Sequence, residues 1–302
     1  MILILLFIVP MQLILTGCQK TLPAPSMQPE SNSFQRPVIA LVLGGGAARG
    51  FAHIGVIRVL EQEKIPIQMI VGTSIGSLIG AIYADCQNSF ELEWMTHDVK
   101  EDDFFDFSVW NSLMGPFEGD KIEEFIQKSV KAKRIEELKI HYAAIATDLH
   151  RGKKVILKSG PVATAVRASC AIPGLFHPVQ IGNQLLSDGG IVDNVPVDVA
   201  KEMGADIVIA VDISRDVEKG EISNFVVVTI QAISIMAREI GKCQADKADI
   251  LIAPEVGKIN SMDFDNKKEC IKAGIDAATA AIPSIKETIA RWHQTYPSPA
   301  QY

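Results

Sequence analysis

Unbroken apolar runs and apolar stripes at helical spacing take turns along most of this chain. Residues 38–43 are apolar throughout, which suits a strand buried on both faces. Ala52, Val56, Val59 and Leu60 then recur on one helical face. The short stretch 67–71 reads as the next strand, and Ile75, Leu78, Ile79 and Ile82 as the stripe of the next helix. Phe90, Trp94 and Met95 suggest a short amphipathic helix. Residues 101–107 mix acids with aromatics and read equally as a lid or as an irregular connection. Asp120, with Glu123 three residues on, is a natural N-cap for a helix whose buried stripe is Ile122, Phe125, Ile126 and Val130.

Farther on, residues 142–147 read as a buried strand ending at Asp148, and 163–169 as a helix. Gly182-Asn183 turns a hairpin between 179–181 and 184–186, which delivers Ser187-Asp188-Gly189-Gly190. Gly204 ends a helix, 207–211 is a strand ending at Asp212, and 224–230 reads as another. Ile233, Met236 and Ile240 suggest a helix and 250–252 a strand. A final helix over 267–292 should break at Pro283, with residues 295–302 disordered. Strands alternating with helices predict an α/β fold around a mostly parallel sheet.

Composition narrows the partners. The 302 residues carry a formal charge of -7, which speaks against nucleic acid and against a polybasic membrane clamp. With 48% hydrophobic residues the chain can bury a sizeable core. Residues 1–17 hold no charge, are short for a membrane span, and are interrupted by Pro10, as suits a signal peptide. They end in Leu15-Thr16-Gly17-Cys18, which resembles a bacterial lipobox, although no basic residue precedes the apolar run. The resemblance implies cleavage before Cys18 and acylation of that cysteine, which holds a protein to a membrane by acyl chains. Gln19 after it favours the outer membrane. Residues 18–36 are rich in Pro, Ser and Gln and read as a flexible tether. Residues 37–213 then form the main domain, with 214–302 an extension packed on it.

Two stretches carry chemistry. Gly72-Thr73-Ser74-Ile75-Gly76 lies between a predicted strand and a predicted helix, the context of a nucleophile elbow. A plain capped turn is the alternative. Gly44-Gly45-Gly46-Ala47-Ala48-Arg49-Gly50 also joins a strand to a helix, and its backbone N–H groups suit an anion. Its spacing fits neither a dinucleotide fingerprint nor a Walker loop. An acyl oxyanion fits better, because Ser74 ends the next strand. His53 should pack on a neighbouring loop or face solvent. Only His293 comes late enough to complete a Ser–acid–His order, and it lies in a polar tail. Asp188-Gly189-Gly190 alone would be a turn aspartate.

Taken in order, Leu43 to Gly50, Gly72 to Ser77, and Asp188 to Gly190 resemble the patatin-like phospholipase family, with shorter echoes at Arg167-Ala168-Ser169, Ile172-Pro173-Gly174 and Val195-Pro196-Val197. The likeness covers roughly residues 37–213. It implies a three-layer sandwich and a serine acyl-ester hydrolase acting on membrane lipids or lysophospholipids, in a compact bacterial lipoprotein. By it Ser74 is the nucleophile and Asp188 its base. The N–H groups of Gly45, Gly46 and Ala47 hold the oxyanion with Arg49 nearby, and Gly44, Gly50, Gly72, Gly76, Gly189 and Gly190 shape the motifs. Ala47 stands where many members carry glycine. No metal or organic cofactor is implied. A thioesterase or acyltransferase could use the same dyad, and a silent lipid- or partner-binding lipoprotein is the reading from another class. Asp212 is a second strand-end acid, expected to be structural. Cys86, Cys170, Cys243 and Cys270 should be free and buried, unless Cys243 and Cys270 pair.

Overall fold

The computed structural model describes residues 36–100, 103–104, 116–214, 225–260 and 263–296. The predicted signal peptide, Cys18, the tether up to residue 35, most of the acid-aromatic stretch and the tail after residue 296 lie outside the described residues.

Eight strands join one sheet: β1 (Ile39–Leu43), β2 (Met69–Thr73), β3 (His141–Asp148), β4 (Lys153–Leu157), β5 (Val179–Ile181), β6 (Gln184–Asp188), β7 (Ile207–Val211) and β8 (Ile250–Ile252). Their order is β5-β6-β3-β2-β1-β7-β8, with β4 also paired to β3. The five strands from β3 to β8 in that order are parallel, while β6 runs antiparallel to β3 and β5 to β6. Alternation along β1 divides the core. Ile39, Leu41 and Leu43 join one fully buried cluster with α1 (Phe51–Gln62), α2 (Ile75–Cys86), α5 (Val162–Ser169) and α8 (Lys267–Thr295). Ala40 and Val42 join a smaller one with Val197, Val199 and Ala200 of α6 (Val197–Glu202) and Ala245 of α7 (Phe225–Ala245). The fold is therefore α/β, a mostly parallel sheet between two helical layers.

Two glycines let α1 and α8 touch backbone to backbone. A β-carbon on Gly55 would stand 2.0 Å from the Ile271 carbonyl oxygen, and one on Gly274 2.0 Å from that of Ala52. No residue with a side chain fits either place.

Several expectations need correction. Residues 225–230 are the first turns of α7, not a strand. Their β-branched run imitates a strand, but it continues into Ile233, Ala237, Gly241 and Ala245, a helical spacing of four. Helix α8 continues through Pro283, because Ala278 and Ile285, on either side, are both fully buried and hold it. In α3 (Ser89–His97), Phe90 and Trp94 are 75% and 72% exposed, and Leu92 and Thr96 face inward instead. Glu61 fixes that rotation by accepting from the Ser89 N–H at 2.8 Å and its hydroxyl at 3.2 Å. Helix α4 (Asp120–Ser129) is capped by Gly119 at φ 86°; Asp120 is its first residue and pairs with Arg167 at 3.2 Å. Cys243 is exposed, and it and Cys270 are both free thiols.

Candidate active site

The sheet register brings the two predicted dyad residues together. Thr73 pairs with Ile145 across β2 and β3, and Asp188 pairs with Ala146 across β6 and β3. Ser74, one residue after Thr73, and Asp188 therefore flank Ala146 from opposite sides. Both line a narrow cavity of about 80 Å³ with Gly45, Gly46, Ala47, Asn194 and Ile172.

Ser74 has φ 53° and ψ -127°, a conformation that side chains resist. Several contacts hold it there. Its N–H donates to the Ser169 hydroxyl at 3.0 Å, and that hydroxyl donates to Ile145 O at 2.6 Å. Its carbonyl accepts from the Ser77 hydroxyl at 2.6 Å and from the Ser77 N–H at 2.8 Å. Gly76 lets the turn seat against β1: a β-carbon there would lie 2.1 Å from the Leu43 carbonyl oxygen.

Asp188 is held equally firmly. Its N–H donates to Ala171 O at 2.9 Å, and its carbonyl accepts from the Thr147 hydroxyl at 2.8 Å. Oδ1 accepts from the Gly190 N–H at 2.7 Å. Oδ2 is buried with no hydrogen-bond partner among the described residues. Burial pushes this carboxyl up to about 6, against the Ser74 hydroxyl and the Gly190 N–H, which pull it down. Burial and the nearby Asp188 also push the Cys170 thiol up, so that thiol stays protonated and inert.

The glycine loop is arranged differently from the expectation. The Gly45 N–H donates to Asn194 O at 3.3 Å, so it is already engaged. Among the described residues no acceptor faces the Gly46 or Ala47 N–H. Ala47 lies at φ 50°, the left-handed region that glycine tolerates best. Arg49 lines the cavity, but its guanidinium is directed away: Nε donates to Ile259 O at 2.8 Å and Nη2 to Gly257 O at 3.4 Å. It ties the loop to the C-terminal part of the chain.

His53 is fully buried, and its Nε2 lies 2.9 Å from Gly44 O, where the N–H form donates. Burial lowers its pKa to about 4, so it is neutral and acts as a brace for the loop. Asp212 is buried at the end of β7 and accepts from the Ser214 hydroxyl at 2.7 Å and its N–H at 2.9 Å. Asn194 and Ser169 were not singled out in the sequence as site residues. Ser169 sits in Arg167-Ala168-Ser169, and Asn194 follows the Asp188 motif by six residues.

A serine at a strained strand–helix turn, beside a glycine loop at the carboxyl edge of a parallel sheet, defines an α/β protein of the serine-elbow class. The chain belongs to the patatin-like phospholipase family, whose profile matches residues 41–201. An uncharacterized NTE family protein of Mycobacterium tuberculosis is 36% identical over 193 residues, 64% of this chain and 53% of that one. Patatin-like phospholipase domain-containing protein 6 of Homo sapiens is 37% identical over 190 residues, 60% of this chain and 14% of that one. The chain thus spans about half the length of the mycobacterial relative and about a seventh of the human one. In fold it is similar to VipD from Legionella pneumophila, with a TM-score of 0.57 at 13% identity over 83% of this chain and 67% of that one.

Proposed function

We propose that the protein is a serine acyl-ester hydrolase acting on membrane lipids or lysophospholipids through Ser74 and Asp188. The observation that carries this reading is the buried Oδ2 of Asp188, without a partner among the described residues, in one cavity with Ser74. A serine hydroxyl is a weak nucleophile until a neighbour accepts its proton, and a carboxylate whose proton affinity is raised by burial is suited to that.

The steps follow. Asp188 takes the Ser74 proton as Oγ attacks the ester carbonyl. The N–H groups of Gly46 and Ala47 receive the oxyanion, each such donor being worth about 3–4 kcal/mol in the transition state. Collapse breaks the ester C–O bond, and the leaving alcohol takes the proton from Asp188. Water, deprotonated by Asp188, then attacks the acyl-enzyme; the acid leaves and Ser74 regains its proton. The chemistry uses no cofactor. Residues 1–17 and the lipobox-like Leu15-Thr16-Gly17-Cys18 support a lipoprotein held by acylated Cys18 to a bacterial outer membrane on its periplasmic side.

The test is hydrolysis of a short p-nitrophenyl ester and a lysophospholipid by the parent, Ser74→Ala and Asp188→Asn, with fluorophosphonate labelling alongside. Activity and labelling in the parent, lost in Ser74→Ala, are expected. A folded parent that is inactive and unlabelled overturns the reading in favour of a silent binding protein.

A further inference from the structure

We propose that the outer face of the N-terminal half of α7 is the surface on which the protein seats itself against a phospholipid bilayer, above its own active cavity. This deepens the hydrolase reading and rests on it for the nature of the substrate.

Helix α7 has two apolar faces. The inner one lines the cavity with Ile233, Ser234 and Ala237. The outer one carries Val228, Ile235 and Met236, which are 49%, 41% and 51% exposed. Their offsets of seven and eight residues put them on one side of the helix. They are three of the seven large apolar side chains that stand out as exposed among the described residues. Past them the outer face turns polar at Glu239 and Lys242, so the apolar patch has an edge.

The cavity beneath explains what should cover this patch. At about 80 Å³ it holds a few water molecules, far less than a lipid acyl chain. Helix α7 forms one wall of that cavity, and the apolar patch lies on the other side of that same helix. Ile172 lines the cavity too, and its turn meets α7 at Thr229, whose methyl lies 3.3 Å from where a β-carbon on Gly174 would stand. A bilayer pressed against that outer face would bring its acyl chains to within one helix of the cavity. Among the described residues no helix is long and apolar enough to cross a membrane. A net charge of -7 disfavours attraction to anionic lipid, and the patch itself is uncharged, so a zwitterionic bilayer is the fitting partner.

The experiment compares the full-length protein with Ile235→Glu/Met236→Glu, and with Phe90→Glu/Trp94→Glu as a control on the exposed face of α3. Turnover is read on a soluble p-nitrophenyl butyrate and on dioleoyl phosphatidylcholine vesicles. The α7 variant should keep soluble-ester turnover within about twofold and lose vesicle turnover by tenfold or more, while the α3 variant changes neither. An unchanged vesicle-to-soluble ratio in the α7 variant, or an equal fall in the α3 variant, overturns the proposal. So does a parent dimer that the α7 substitutions split without changing that ratio, which would give the face to a second copy. If the parent hydrolyses neither substrate, the hydrolase reading fails, and the surface is judged by Met236→Trp with brominated phosphatidylcholine vesicles. Fluorescence quenching above that of the parent supports the docking surface, and quenching equal to the parent overturns it.

Discussion

Asn194 grips Gly45 from both ends of its peptide: its carbonyl accepts the Gly45 N–H at 3.3 Å, and its side-chain Nδ2 donates to Gly45 O at 3.4 Å. The loop can come this close because Gly45 has no side chain; a β-carbon there would stand 2.6 Å from Asn194 Oδ1. Asn194→Ala removes the donor and leaves a buried carbonyl bare. It should lower stability by about 1–3 kcal/mol in urea unfolding. Soluble-ester kcat should fall more than KM rises, because the glycine loop loses its position while the cavity keeps its walls.

Asp188 should govern the pH dependence. As the base proposed above it must be ionised, so turnover should rise with pH through about 6. Between the ordinary 3.8 and about 6, the folded protein holds a proton that the unfolded chain has lost. The stabilisation is complete below 3.8 and lost as pH rises through 6. Asp188→Asn should therefore be inactive but more stable than the parent at pH 7.5, by about 3 kcal/mol, with the difference gone at pH 4. Chemical denaturation at both pH values checks this.

His53 has the opposite slope. Its folded value of about 4 lies below the ordinary 6.5, so its contribution is complete above pH 6.5 and lost as pH falls toward 4, by about 3 kcal/mol. His53→Gln can still donate to Gly44 O and no longer titrates. It should flatten the acid side of the stability profile and keep most of the turnover. His53→Phe should flatten the same profile yet lose turnover at every pH.

Ala47 is strained at φ 50°. Ala47→Gly removes that strain, about 1 kcal/mol, and keeps the backbone N–H. A raised midpoint in thermal unfolding with soluble-ester turnover kept within a few-fold is expected. A lowered midpoint would mean that the extra freedom of glycine in the unfolded chain outweighs the relief.

Gly274→Val would drive a branched side chain into the Ala52 carbonyl, which has nowhere to move. Stability should drop by about 3 kcal/mol or more, and circular dichroism against temperature measures it. Arg49 and His53 both brace the loop from this side, so turnover should fall with stability.

Much of this was legible from the chain alone. A run buried on both faces, 207–211, gives a strand at the same bounds in the structure, because a central parallel strand has no solvent face to confuse the pattern. That Ser74, Asp188 and the glycine loop come to one cavity agrees with the order and spacing of their motifs, which carry geometry. Less legible was whatever depends on a distant partner. The Gly45 N–H is engaged only because Asn194 arrives 149 residues later, and Arg49 turns away only because residues 257–259 offer it carbonyls. On α3, Phe90 or Leu92 could each have been the inward face, and Glu61 decides between them. Residues 225–230 carry strand chemistry locally and a helical stripe only over the following four turns.

The glycine contact between α1 and α8 also bears on timing. Ribosomes release a chain from its N-terminus, so Ser74 and the glycine loop emerge long before residues 267–295. Until that helix arrives, α1 has no backbone to press against. The seat of α1, and of the glycine loop that leads into it, is therefore completed only after the whole stretch from Ser74 to α8 has been made, and a message cut short upstream of α8 yields a polypeptide in which α1 lacks that support.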